Sequence, residues 1–315
     1  MLKNLHKRSY VLVLILITLL TVSAFSQEVV ASIDIPLTTY FARVQPNQSI
    51  QIVDRALVWF GENNLKGTEY EHLPLLSSQS TVNGGFRGPE DFLNIPAGNL
   101  TQSDIAKIYR YNNTIQALKL NGKQIIEWLE ASAGNFFQID PNKTEDQQLV
   151  DYGFDCHHFD HFFGITYMFD VTQPLGKRVV RAEYNGKPLT EDMEFIILTD
   201  NYRASGGGGL PNAVPENVVM KWDTNMRSLI IDYLNYLNGK VLPLIINWSI
   251  KPIETKGRIL FKTGAEWGIP VVEYMEIAAK ENIEPIDHIE YVGTDDVWGL
   301  FKIDLSKVRT PYDQK

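Results

Sequence analysis

Hydrophobic positions along this chain recur with two periods, and the elements can be read from their alternation. Ile52, Ala56, Trp59 and Phe60 fall at helical spacing behind the polar start Asn47-Gln48-Ser49, which predicts a helix over Ser49–Glu62. Ser103–Tyr109 reads as a short helix with Asp104 in its first turn. Lys123–Ala133 reads as another, burying Ile125, Ile126, Leu129 and Trp128 and ending at Gly134. Thr114–Leu120, Ile165–Val171 and Val179–Tyr184 are strand-like, and Asn185-Gly186 offers a tight hairpin turn. Met193–Thr199 is a nearly continuous apolar run, the pattern of a strand covered on both faces. Asn225–Leu237 is amphipathic and closes at Asn238-Gly239. The tail then reads strand (Arg258–Thr263), helix (Pro270–Glu281) and two strands (Ile289–Gly293, Trp298–Leu305). Helices and strands interleave without a βαβ period, so the expected class is α+β (mixed α/β). Pro252–Gly257 is the best internal boundary, dividing a main domain (27–252) from a small αβ unit (258–308).

The first 26 residues stand outside this alternation. Lys3, Lys7 and Arg8 precede the apolar run Val11–Val22, and Ala24-Phe25-Ser26 supplies small residues before Gln27-Glu28. This three-part pattern is that of a secretory leader, and the run is short for a membrane span. Cleavage after residue 26 leaves no stable membrane span, whereas retention would leave an N-terminal anchor. No cysteine near the cut would carry a lipid. The 315 residues carry a net charge of −9, and losing three basic and no acidic residues with the leader moves it to −12. So acidic a chain argues against nucleic acid or an anionic membrane as its main partner. The single cysteine, Cys156, excludes an internal disulfide and a four-thiolate zinc site.

Two constellations carry possible chemistry. Asp155-Cys156-His157-His158-Phe159-Asp160-His161 crowds three histidines, a thiol and two carboxylates into seven residues. It reads either as a transition-metal site or as the polar rim of a packed loop before a strand, with Phe154, Phe162 and Phe163 as the packing. The second constellation sets aromatics beside amides and glycines. Tyr109-Arg110-Tyr111-Asn112-Asn113 lies at a helix-to-strand junction, and Asn201-Tyr202-Arg203-Ala204-Ser205 runs into Gly206–Gly209 after the apolar strand. Two tyrosines there suit stacking on a flat base, an asparagine suits its edge, and Arg87 in Ser80–Gly88 suits a ribose or phosphate oxygen. The same residues also read as loops with aromatic surface. The glycine run lacks the Lys-Ser/Thr of a phosphate-cradling loop. Gly-x-Ser-x-Gly, His-Glu-x-x-His, Gly-Asn-His and Gly-His-x-His are all missing, so no self-sufficient hydrolytic centre is expected in this chain.

Several ordered motifs bear a family resemblance. Leu73-Pro74-Leu75-Leu76-Ser77, Tyr109–Thr114, Glu127-Trp128-Leu129-Glu130, Ser132-Ala133-Gly134, Phe137–Asn142, Asp170–Pro174 and Asn201-Tyr202-Arg203-Ala204 together look like the C-terminal domain of the 5′-nucleotidase superfamily. The likeness is greatest to the bacterial periplasmic 2′,3′-cyclic-nucleotide 2′-phosphodiesterase/3′-nucleotidase branch and runs from about Pro36 to Lys307. The resemblance implies a 5′-nucleotidase C-terminal-domain-like fold with a small C-terminal αβ extension. It implies a substrate-gripping role, with catalysis on a metallophosphatase domain that this chain is expected to lack. Divalent metals are then expected only on that separate domain, with no cofactor in this chain. Tyr111 and Tyr202 match the two base-stacking positions, and Asn113 matches the amide that meets the base. Arg87 matches a cation near sugar or phosphate, and Gly134 a glycine lining the pocket. Six residues after Tyr202 the 5′-nucleotidase branch carries an acidic residue; here stands Gly208, as expected of the cyclic-phosphodiesterase branch. The histidine cluster matches a family segment that is not a metal site. Expected partners are a nucleotide or nucleoside and a separately encoded metallophosphatase domain. The alternative is a stand-alone extracytoplasmic nucleoside-binding module without hydrolase activity.

Overall fold

The computed structural model describes residues 28–265 and 271–313; the leader-like segment 1–26 and Pro270 lie outside them. At its centre is a mixed five-stranded sheet in the order Val218–Asn225, Thr114–Asn121, Glu194–Asp200, Leu75–Ser80, Asp160–Phe163. Glu194–Asp200 runs parallel to Leu75–Ser80 and antiparallel to Thr114–Asn121, with Asp200 opposite Ile115. Its alternate side chains enter two cores. Ile196 and Leu198 join the core under the helices Gln48–Asn64 and Met226–Tyr236, while Phe195 and Ile197 face the core holding Trp128 of the helix Gly122–Ser132. The apolar run is thus buried on both faces, as its pattern predicts.

The helices begin where their caps predict. Asn47 Oδ1 accepts from Ser49 N, and Thr101 with Asp104 and Asn121 with Gln124 form reciprocal capping boxes at Gln102–Ile108 and Gly122–Ser132. At Asn185-Gly186 both residues take positive φ, and the turn joins Val179–Tyr184 to Lys187–Pro188 in a second, four-stranded sheet. The third sheet orders Ile289–Asp295, Trp298–Ile303, Ile259–Ala265 and Gln147–Gln148. Phe261 and Phe301 of this sheet meet the edge of Phe41 at ring distances of 6.2 and 6.0 Å, so the tail unit shares its core with the N-terminal segment.

Two strands depart from the expectation. Leu75–Ser80 carries Ser77, Ser78 and Gln79 in its buried middle, and Asp160–Phe163 begins with buried Asp160 and His161. The histidine cluster therefore runs into an edge strand of the central sheet instead of ending before one. Polar residues at these places break the apolar alternation. Ser77 and His161 find partners distant in sequence, Gln79 Nε2 donates to the neighbouring Ser78 carbonyl at 2.8 Å, and Ser78 Oγ has no hydrogen-bond partner among the described residues. Ser77 Oγ donates to the buried Asp54 carboxylate at 2.8 Å. His161 accepts from Trp248 Nε1 at 3.1 Å, which leaves Nε2 to donate to Thr81 Oγ1 at 2.9 Å. Burial of this neutral ring pushes its pKa down to about 3.

Candidate functional site

The second constellation assembles at one end of the central sheet. Thr114 begins one strand and Asp200 ends its antiparallel neighbour, so the junctions Tyr109–Asn113 and Asp200–Arg203 lie side by side. Asn201 Oδ1 accepts from Thr114 N at 2.8 Å and ties the two together. The turn around Phe86-Arg87 and the segment Asp155–His157 complete a cleft of about 270 Å³. Of the residues the sequence nominates, Arg87, Tyr111, Asn113 and Tyr202 all line it. Tyr111 and Tyr202 are 37% and 53% exposed, so both rings open onto the cleft. Gly134 is not among the lining residues. A Cβ there would lie 2.7 Å from the Phe154 ring, so this glycine serves close packing behind the cleft, where no side chain fits.

A carboxylate that no motif marked organises the floor. Asp200 caps the short helix Asn201–Ala204 by accepting from Arg203 N at 3.0 Å. The same Oδ1 accepts from Asn113 Nδ2 at 3.0 Å, and Oδ2 accepts from the Tyr109 hydroxyl at 3.0 Å. Tyr109 is buried, which raises its phenol well above the usual value and keeps it a neutral donor. Its sequence signal was present but weak: an acid closing an apolar strand just before the Asn-Tyr pair.

The wall is a relay of polar groups. Asp155 Oδ1 accepts from the His157 ring at Nδ1 (2.6 Å), so in the neutral ring Nε2 accepts from the Tyr111 hydroxyl at 3.0 Å. Burial raises the Asp155 carboxyl, but the hydrogen bonds from His157 outweigh it and leave the pKa below the ordinary value. Arg87 Nη2 reaches the same Tyr111 hydroxyl at 3.4 Å, and Phe86 meets His157 edge-on at 6.0 Å. Tyr111 is therefore held at its hydroxyl, with the His157 ring 5.9 Å from its own. Behind the wall Arg203 grips Asp160 through two contacts of 2.8 Å and also donates to the carbonyls of His157 and Gly207. Burial nevertheless pushes Asp160 up to about 6, because desolvation of the carboxylate exceeds what Arg203 and Trp128 return.

Asp155, Cys156 and His157 place one ligand atom each within 4.8 Å of one another. Their chemistry is that of a hydrogen-bonded turn. Cys156 is buried and burial pushes its thiol up to about 11, and Asp155 Oδ1 already accepts from both His157 N–H groups. The donor set does not fit a divalent-metal centre of the two-metal kind, which needs several free carboxylates and histidines. The glycine run likewise has a steric cause. Gly206, Gly208 and Gly209 take positive φ, and a Cβ on Gly207 would lie 2.5 Å from the Tyr202 ring.

The cleft thus lies at one end of the central sheet, among the loops that leave its strands. Residues 61–215 match the family model described as the 5′-nucleotidase, C-terminal domain, and the chain carries that domain and is a member of its family. It is 34% identical over 290 residues to a trifunctional nucleotide phosphoesterase protein of Bacillus subtilis, covering 87% of this chain and 19% of that one. It is 32% identical over 293 residues to the 2′,3′-cyclic-nucleotide 2′-phosphodiesterase/3′-nucleotidase of Haemophilus influenzae, covering 85% and 43%. The chain thus spans less than half the length of these curated relatives. A 5′-nucleotidase precursor from Thermus thermophilus shares the fold, with a TM-score of 0.56 at 21% identity over 75% of this chain and 42% of that one. Among the described residues, no helix is long and apolar enough to cross a membrane.

Proposed function

We propose that this chain is the substrate-gripping part of a nucleotide phosphoester hydrolase of the 2′,3′-cyclic phosphodiesterase/3′-nucleotidase type. It holds a nucleoside or nucleotide while a metal-bearing catalytic domain, outside this chain, cleaves the ester. The observation that carries the reading is the convergence of Tyr111, Tyr202, Asn113 and Arg87 on one cleft. The tyrosine faces supply stacking, Asn113 a polar contact to the base edge, and Arg87 a cation for a sugar or phosphate oxygen. The chain's own contribution to the reaction is to bind, to orient the ester outward and to exclude water from the base. The catalytic domain's metals supply the electrophilic and nucleophile-activating chemistry. Export by the leader-like segment 1–26 places this work outside the cytoplasm, which N-terminal sequencing of the exported protein checks.

Calorimetry of the chain with adenosine, 3′-AMP and 2′,3′-cyclic AMP tests the proposal. Binding is expected, and Tyr111→Ala or Tyr202→Ala should each weaken it roughly fivefold to 100-fold, the scale of one base–aromatic stack. Undiminished binding in both variants would sink the stacking role. Brisk hydrolysis of 3′-AMP by the isolated chain with added divalent metal would overturn the division of labour.

A further inference from the structure

We propose that Asp200 fixes the polarity of Asn113, so that the cleft prefers bases carrying an exocyclic amino group over their keto counterparts. The inference rests on the nucleoside-binding reading above. A side-chain amide has nearly the same shape at both ends, and its neighbours decide which end faces a ligand. At Asn113 that decision is one-sided. The Asp200 carboxylate only accepts, so the amide end that lies 3.0 Å from it is the N–H₂ group. Tyr109 spends its own O–H on Asp200 at 3.0 Å, and its oxygen then receives the second Asn113 hydrogen at 3.3 Å. Turning the amide over would set Oδ1 against a carboxylate and lose both bonds. Asn113 Oδ1, without a hydrogen-bond partner among the described residues, is thus the end left for a ligand in the cleft.

An acceptor at the edge of a stacked purine rewards a donor there. Adenine offers the hydrogens of its 6-amino group; hypoxanthine sets a carbonyl oxygen at the same place, and two acceptors facing each other in a partly dry cleft repel. Asp200 touches no base in this account. It is a positioning residue, and its mark is specificity more than affinity.

The test is calorimetry with adenosine, purine riboside and inosine, which differ at position 6 and, in inosine, also by a hydrogen on N1. Adenosine should bind about tenfold more tightly than inosine, with purine riboside, which has neither donor nor acceptor there, in between. In Asp200→Asn the new amide can donate to Asn113 Oδ1 and let its N–H₂ turn outward, so the adenosine-to-inosine ratio should fall toward one. Tyr109→Phe keeps the carboxylate and should keep the preference. Equal binding of adenosine and inosine by the parent chain, or a folded Asp200→Asn variant with the parent's ratio, would overturn the proposal. Should Asp200→Asn fail to fold, the parent's three-ligand series decides alone. Binding of none of the three removes the nucleoside reading itself, and this proposal with it; equal binding removes only the proposal.

Discussion

Arg203 shows how a single residue can hold a site without facing its ligand alone. It is buried, pairs with Asp160 and fastens the carbonyls of His157 and Gly207, thereby joining the wall of the cleft to the glycine run. Arg203→Met should cost about 3–5 kcal/mol at neutral pH, because it strands a buried carboxylate. The sign of the pH dependence follows from Asp160. Its folded pKa is already raised to about 6, so below that value it takes up a proton and the stranded charge disappears. Melting curves should therefore show the gap between Arg203→Met and the parent widening from about pH 5 to about pH 8; a gap independent of pH would place the energy in packing. The motif Asn201-Tyr202-Arg203-Ala204 was visible in the sequence, but it gave Arg203 no role of its own. Its carboxylate lies 43 residues away in sequence, on an edge strand of the central sheet, so only the assembled sheet could disclose it.

Among the elements, helices with clean periodicity and caps were the most legible. The helix expected over Ser49–Glu62 spans Gln48–Asn64, and the short one expected over Ser103–Tyr109 spans Gln102–Ile108. The strands Leu75–Ser80 and Asp160–Phe163 were not legible, since buried polar residues break their apolar pattern and the partners of Ser77 and Asp160 lie far off in sequence. The glycine run was legible as a junction, while its purpose was not. Gly206–Gly209 folds back under Tyr202, so close that a methyl on residue 207 would meet the ring and the Tyr202 carbonyl at 2.5 Å. Gly207→Ala should push the ring from its place and weaken nucleoside binding roughly tenfold while the chain stays folded. Calorimetry beside a far-ultraviolet dichroism spectrum checks this; parent-like affinity would show that the ring is free to adapt.

At the scale of the whole molecule, a buried acid stands where the tail meets the body. Glu284 accepts from Asn47 Nδ2 at 2.8 Å and Gln45 Nε2 at 3.2 Å, at the start of the helix Gln48–Asn64. Burial raises its pKa to about 7, more than these hydrogen bonds lower it. The folded chain therefore holds this proton up to about pH 7 while the unfolded chain releases it near pH 4.5, so Glu284's contribution falls as pH rises through that window. The change is on the order of 3 kcal/mol. His161 works in the opposite direction between about 3 and 6.5, since its folded form stays neutral while the unfolded ring is charged. The clean readout is thus the difference between parent and Glu284→Gln: denaturant titrations from about pH 4 to about pH 8 should show the variant losing less stability as pH rises. Parallel profiles would mean that Glu284 titrates alike in both states.

The sequence by itself determined the runs whose signal is local: the capped helices, the Asn185-Gly186 hairpin, the doubly buried strand Met193–Thr199 and the motifs that reveal the family. These depend on spacing within a few residues, which any chain carries in its order. Tertiary structure alone decided which polar groups are buried and what they face. It put Asp200 under Asn113, His157 against Tyr111, and Gly134 behind the cleft against Phe154. The physical reason is that a buried hydrogen bond is fixed by strand register across tens of residues, as when Asp200 falls opposite Ile115 and brings Asn113 within reach. A nominated asparagine is a residue type; an acceptor left open to a cleft exists only once the sheet has formed.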